Sequence, residues 1–234
     1  GNMDEVNTSA ESFVLWQWAN DGSETAIGAG SISTGVPRTA STVRVNTTAG
    51  FSIITYTGDA TNTTVGHGLT NAPEFIFGFN RASISNRHVG HQDMTSWAYY
   101  LNLDENVAEA SYGPIWNSTA PTSSVISLGT EGGLNGSGTA QIMYAFHSVE
   151  GYSKFGTYEG NGDADGPFIY TGFRPSYLVV KNIDATGNWW CVDAIRSTYN
   201  QIDDVLFLDS NAKEEVYAGV DFTANGFKLR SAST

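Results

Sequence analysis

The stretch Asn161-Gly162-Asp163-Ala164-Asp165-Gly166 places oxygen-bearing side chains at alternate positions ahead of a glycine, which is how a calcium loop begins. Such a loop closes with a bidentate acid at its twelfth position, and that position here is Gly172. Two expectations follow: calcium held by Asn161, Asp163 and Asp165, or, favoured by the missing acid, a solvated turn between strands. A second cluster, Arg87-His88-Val89-Gly90-His91-Gln92-Asp93, brings two imidazoles and a carboxylate close together in sequence. Residues three apart on a strand point to opposite faces, and no third zinc ligand is evident, so no metal is expected there.

Hydrolytic chemistry needs two carboxyl groups flanking a bond, or a nucleophile beside a base. The 24 acidic residues include Asp203-Asp204 and Glu214-Glu215, but no spacing isolates a pair, and neither G-x-S-x-G nor a phosphate loop occurs. No catalytic residue is expected. Aromatic rings can stack on sugars while amides bond the hydroxyls, which makes Trp97, Trp116 with Asn117, and Tyr199 candidates for glycan binding. The competing reading is that six Trp, 11 Tyr and 12 Phe are consumed by β cores. His67 and His147 read as packing or surface residues, and Cys191, inside Trp189-Trp190-Cys191-Val192, as a small buried hydrophobe.

These residues need a scaffold, and the composition points to strands. Only 15% of the 234 residues are charged, Gly numbers 26, and Thr, Ser, Asn and aromatics abound, so an all-β fold is expected. The net charge of −13 repels a nucleic-acid backbone, so no nucleic-acid partner is expected. No basic and apolar leader opens the sequence and no run of eighteen apolar residues occurs, so no membrane insertion is expected either.

An internal repeat organises the chain. Thr55-Tyr56-x-Gly58 with Pro73-Glu74-Phe75-Ile76-Phe77 returns as Thr157-Tyr158-x-Gly160 with Pro175-Ser176-Tyr177-Leu178-Val179, and Asn80 and Asn86 return as Asn182 and Asn188, all at an offset of 102 (158 − 56). The expected architecture is two tandem antiparallel β-sandwich modules of jelly-roll or lectin-like type. A strand and linker span 1–50, the first module 51–148 and the second 149–234. Strands are expected at 98–103, 125–128, 177–181, 189–193, 205–208 and 227–229, with a hairpin turn at 184–188.

The first copy closes with a strong strand, Ala140 to Phe146, that has no counterpart in the second. A segment of the same character, Ser12-Phe13-Val14-Leu15-Trp16-Gln17-Trp18, stands near the start. Phe13, Val14, Leu15, Trp16 and Trp18 are therefore strand-exchange candidates that could fill the vacancy in their own chain or in a neighbour. The alternative is that this segment ends an earlier copy in a longer array.

The stretch 45–58, with Val65-Gly66-His67-Gly68-Leu69, Ala72-Pro73-Glu74-Phe75-Ile76, 116–125, 150–156, 165–175 and Asn225-Gly226-Phe227-Lys228-Leu229, resembles the repeated β-domain of virion structural and tail-fibre-like proteins of marine bacteriophages. The resemblance implies a component of a phage particle, outside the host cell, whose partners are copies of itself, other virion proteins or host-surface glycans. It carries no catalytic residues over. A secreted carbohydrate-binding module and a capsid decoration protein without ligand are the alternatives.

Overall fold

The computed structural model describes residues 13, 15, 17, 22–30 and 37–232. In chain order the strands are β1 (Thr25–Ile27), β2 (Ser41–Asn46), β3 (Phe51–Thr57), β4 (Thr63–Gly66), β5 (Phe75–Asn80), β6 (His88–His91), β7 (Tyr99–Asn102), β8 (Ala110–Ser111) and β9 (Val125–Leu128). A one-turn helix, α1 (Gly132–Asn135), precedes β10 (Ala140–Phe146), β11 (Phe168–Tyr170), β12 (Tyr177–Val180), β13 (Trp190–Asp193), β14 (Ile202–Phe207), β15 (Glu215–Thr223) and β16 (Gly226–Leu229). The fold is all-β. Among the described residues no helix is long and apolar enough to cross a membrane.

The first sheet runs β1-β2-β3-β10-β5-β6-β7-β8, every pair antiparallel. Its centre is β10, whose period-two pattern sends Gln141, Met143 and Ala145 inward at 0% exposure and leaves Ile142, Tyr144 and Phe146 on the outer face. Met143, Ile54 and Ile76 pack against Val65, Ile126 and Leu128 of the β4–β9 ribbon, so two antiparallel layers enclose one core. Each such side chain contributes about 1.5–3 kcal/mol by leaving water. The stretch between positions 20 and 48, expected as a loop or linker with a possible edge strand at Val43-Arg44-Val45, supplies β1 and β2, and β2 is an interior strand bonded to β3 along its length.

Two glycines admit the bulk around them. A Cβ at Gly78 would lie 2.6 Å from Met143 Cγ, and one at Gly90 would lie 2.6 Å from the Trp97 ring and 2.9 Å from Trp116. Gly90→Ala is accordingly expected to cost about 1–3 kcal/mol, since overpacking forces neighbours off their rotamers. Thermal unfolding followed by Trp fluorescence measures this, and an unchanged melting temperature would contradict the packing described.

The second sheet runs β11-β16-β15-β14-β13-β12. The offset of 102 carries β6 onto β13 residue for residue and places β5, β7 and β9 on β12, β14 and β16. Local hydrogen bonds repeat with it. Asn80 Oδ1 accepts from the Ala82 amide and Asn182 Oδ1 from the Asp184 amide, while Asp59 Oδ1 accepts from Thr61 and Asn161 Oδ1 from Asp163. These side-chain turns are why Asn and Asp recur at fixed places in the sequence.

Two departures separate the copies. The repeat motif Thr157-Tyr158 forms no strand where its counterpart Thr55-Tyr56 lies in β3: β3 is held by β2 and β10, and among the described residues the second copy has no equivalent of either. Tyr158 still packs edge-on against Phe227, as its counterpart Tyr56 packs in the first core. Further along, the nine-residue β15 joins β14 to β16, and its register against β14 shifts between Ile202 and Asp204, giving a bulge. Strand β14 therefore begins at Ile202, earlier than the 205 expected.

The copies touch through the second hairpin turn. Trp189 lies 5% exposed among Val89, Met94 and Leu101 on the outer face of the first sheet, and its indole N–H donates to the Asn102 carbonyl at 2.9 Å. Backbone bonds from Glu109 to Ile183 and from Gly187 to Asn106 complete the join.

Candidate functional site

The acidic turn comes first among the predicted sites. Asn161 and Asp163 spend side-chain oxygens on the amides of Asp163 and Asp165, and Asn161 Nδ2 donates back to the Asp165 carbonyl. The Asp165 carboxylate meets Lys228 Nζ at 2.8 Å and Arg230 at 3.9 Å, and the Lys228 hydrogen bond holds its pKa below the ordinary value. The Asp165 carboxylate thus already has a cationic partner, and the geometry favours the solvated turn, clasped to β16, over calcium. Adding calcium or a chelator is expected to leave the melting temperature unchanged; a rise of several degrees with calcium would restore the metal site. Among the described residues no group of three His, Cys, Asp or Glu is arranged to hold a metal ion.

The glycan candidates separate. Trp116 is 1% exposed in the first core and meets Trp97 edge-to-face at 5.9 Å, with Trp97 half-buried against the same core. Trp116 therefore has no free face to offer a sugar, because its flat bulk is spent on packing over Gly90. Asn117, beside it, turns the chain with a φ of 51°. Tyr199 stands alone on the β13–β14 connection, 84% exposed. Of the strand-exchange candidates, Phe13 and Leu15 lie outside any strand at 48% and 82% exposure, while Val14, Trp16 and Trp18 lie outside the described residues.

The sequence reading missed a polar network around His88. This ring points inward from β6, with Nδ1 2.9 Å from Asn102 Oδ1 and Nε2 3.2 Å from Glu131 Oε2. Asn102 Nδ2 donates to Glu105 Oε2 at 2.6 Å, and Glu105 Oε1 accepts from Asn86. Both ring nitrogens of His88 thus face acceptors. Burial would raise the Glu131 pKa, yet the bonds from His88 and from the Gly133 and Leu134 amides hold it below the usual carboxylate range. With both nitrogens engaged, the ring ties β6 and β7 to α1. Only the His was visible in sequence, because Glu131 lies 43 positions away (131 − 88).

His67 is buried at 0% exposure, bonded to the Thr122 carbonyl and the Leu69 amide, and burial pushes its pKa down to about 4. Cys191 is buried at 0%, and burial raises its thiol pKa. Both fit the packing roles expected of them.

The remaining feature is an edge. Strand β5 is paired on both sides, with β10 and β6, whereas among the described residues its counterpart β12 is paired with β13 alone and ends its sheet. Inward Ile76 on β5 is 0% exposed, but inward Leu178 and Val180 on β12 are only partly buried. Val180 occupies the place of Gly78, a position that Met143 and Leu134 close to any side chain in the first copy. Around the second sheet large apolar side chains stand in solvent, among them Tyr170 at 67%, Ile195 at 82% and Val216 at 73%. An open edge beside exposed apolar surface is chemistry for recruiting another chain.

No curated protein and no solved structure matches the chain. One family model does, across residues 1–234. The chain belongs to that family, described as a domain of unknown function, DUF7483.

Proposed function

We propose that this chain is a structural component of a bacteriophage particle, a fibre or surface appendage outside the host cell, that works by assembly and attachment rather than by catalysis. The observation that carries the assembly reading is the edge of β12, which no strand among the described residues covers, at a position filled in the first copy by β10. The likeness of the repeated motifs to phage virion proteins supports the setting. The acidic surface, with a net charge of −13, disfavours DNA as the bound partner and leaves protein or sugar.

The test is co-migration. In a phage lysate the chain is expected to travel with infectious particles through a density gradient and to stay with them after a high-salt wash. Recovery from the particle-free supernatant alone would contradict the reading and favour a secreted carbohydrate-binding module. A second reading, attachment to host-surface glycans, rests on the exposed ring of Tyr199. Binding on a glycan array that Tyr199→Ala abolishes would support it, and an array without signal would leave assembly as the sole activity.

A further inference from the structure

The strand position beside β12 has a defined chemistry. Ser176 and Ala194 share a backbone hydrogen bond, and alternation from that pair turns the N–H and C=O of Val179 to the open side. Phe77, its counterpart on β5, turns the same way, toward β10. The outward side chain of Val179 packs with the cluster that includes Phe75 and Phe77. From there an aromatic row continues, Phe77 stacking on Tyr144 at 4.7 Å and Tyr144 on Phe51 at 6.5 Å, with Phe77 and Tyr144 half-buried. The Val179 backbone thus faces an apolar-flanked side on which the described residues place no strand, and this suits an extended, uncharged, alternately apolar peptide.

The chain contains such a peptide. Residues 12–18, Ser-Phe-Val-Leu-Trp-Gln-Trp, have no charge, no Gly and no Pro. Set against β10 they place Val14, Trp16 and Trp18 where Ile142, Tyr144 and Phe146 stand, and Phe13, Leu15 and Gln17 where Gln141, Met143 and Ala145 stand. Among the described residues no strand pairs with β12 on this side, and Phe13 and Leu15 stand outside any strand at 48% and 82% exposure. An apolar strand-like segment and a strand edge that suits it, carried by one sequence, are complementary between two copies.

We infer that residues 12–18 of one copy add as an antiparallel strand to the open edge of β12 in a second copy, joining subunits head to tail. The inference rests on the assembly reading and names its partner. It is tested by sedimentation of the full chain and two variants. The donor-blocked variant carries Leu15→Asp and Trp16→Asp. The acceptor-blocked variant carries Val179→Pro, which removes an amide from the open side and not from the β13 ladder. Circular dichroism and thermal unfolding establish that each stays folded.

The full chain is expected to form species of twice the monomer mass and larger as concentration rises. Each variant alone is expected to be monomeric, and an equimolar mixture of the two to give a discrete dimer, one intact donor meeting one intact acceptor. A full chain that stays monomeric at every concentration would overturn the inference, whether its own segment or some other partner takes the edge. Undiminished association of the donor-blocked chain would overturn it too, and that arm stands even if Val179→Pro fails to fold. A chain that co-migrates with particles yet stays monomeric refutes strand exchange alone; one that exchanges strands but is absent from particles refutes the phage setting alone.

Discussion

Replacing Arg196 with methionine is expected to destabilise the second sheet by about 3–5 kcal/mol, the cost of leaving a buried charge without its partner. The Arg196 side chain is 6% exposed and that of Asp193 3%, with Nε to Oδ2 at 2.7 Å. Arg196 also bonds Glu214 at 2.9 Å and the Cys191 carbonyl at 3.1 Å. Asp193 in turn accepts the Ile195 and Arg196 amides, so one ion pair holds the turn that follows β13. Burial pushes the Asp193 pKa up, but these hydrogen bonds and the guanidinium charge outweigh it and bring the pKa below the ordinary value. A carboxylate whose folded pKa is depressed stabilises the fold fully above its unfolded value, roughly 3.9, and loses that contribution as pH falls through the folded pKa. Asp59 and Glu131 are depressed in the same way. Stability should therefore hold down to about pH 5 and fall below about pH 4, with a shallower acid decline in Arg196→Met. Urea unfolding across that range measures both, and a variant within about 1 kcal/mol of the parent would show that the pair contributes little.

Met143→Ala is the second large effect, expected to cost about 2–5 kcal/mol because the cavity opens at the centre of a packed layer. Met143 is fully buried, flanked by β3 and β5, and covers Gly78. Val180→Ala, at the place of Gly78 in the second copy, removes a partly buried side chain and should cost distinctly less. Equal losses in the two variants, read from urea midpoints, would mean that the space beside β12 is as closed as that beside β5.

The sequence made the fold class and the repeat legible for a physical reason. Turn chemistry is local, so Asn80 and Asn182, which bond amides two residues on, and the strands that follow Pro73 and Pro175, survive as spaced identities. Pairing is not local. Residues 153–159 form no strand because, among the described residues, the second copy lacks the partners that hold β3, and the long bulged β15 has no counterpart among the strands of the first copy. The sites were less legible for the same reason. Trp116 has the composition of a sugar platform and the environment of a core residue, and the His88–Glu131–Asn102 network joins three elements far apart in sequence. Oxygen spacing in Asn161, Asp163 and Asp165 was real, but it encodes a hydrogen-bonded turn whose last carboxylate Lys228 neutralises from a different strand.

Amide hydrogen exchange at Val179, followed by NMR over a concentration series, bears most directly on the open position in the second sheet. In dilute solution this amide should exchange with little protection while those of Leu178 and Val180, bonded to β13, exchange slowly, and it should become protected as the protein is concentrated. A Val179 amide as protected as Phe77 in the dilute monomer would mean that a strand already lies there, and the account would fail.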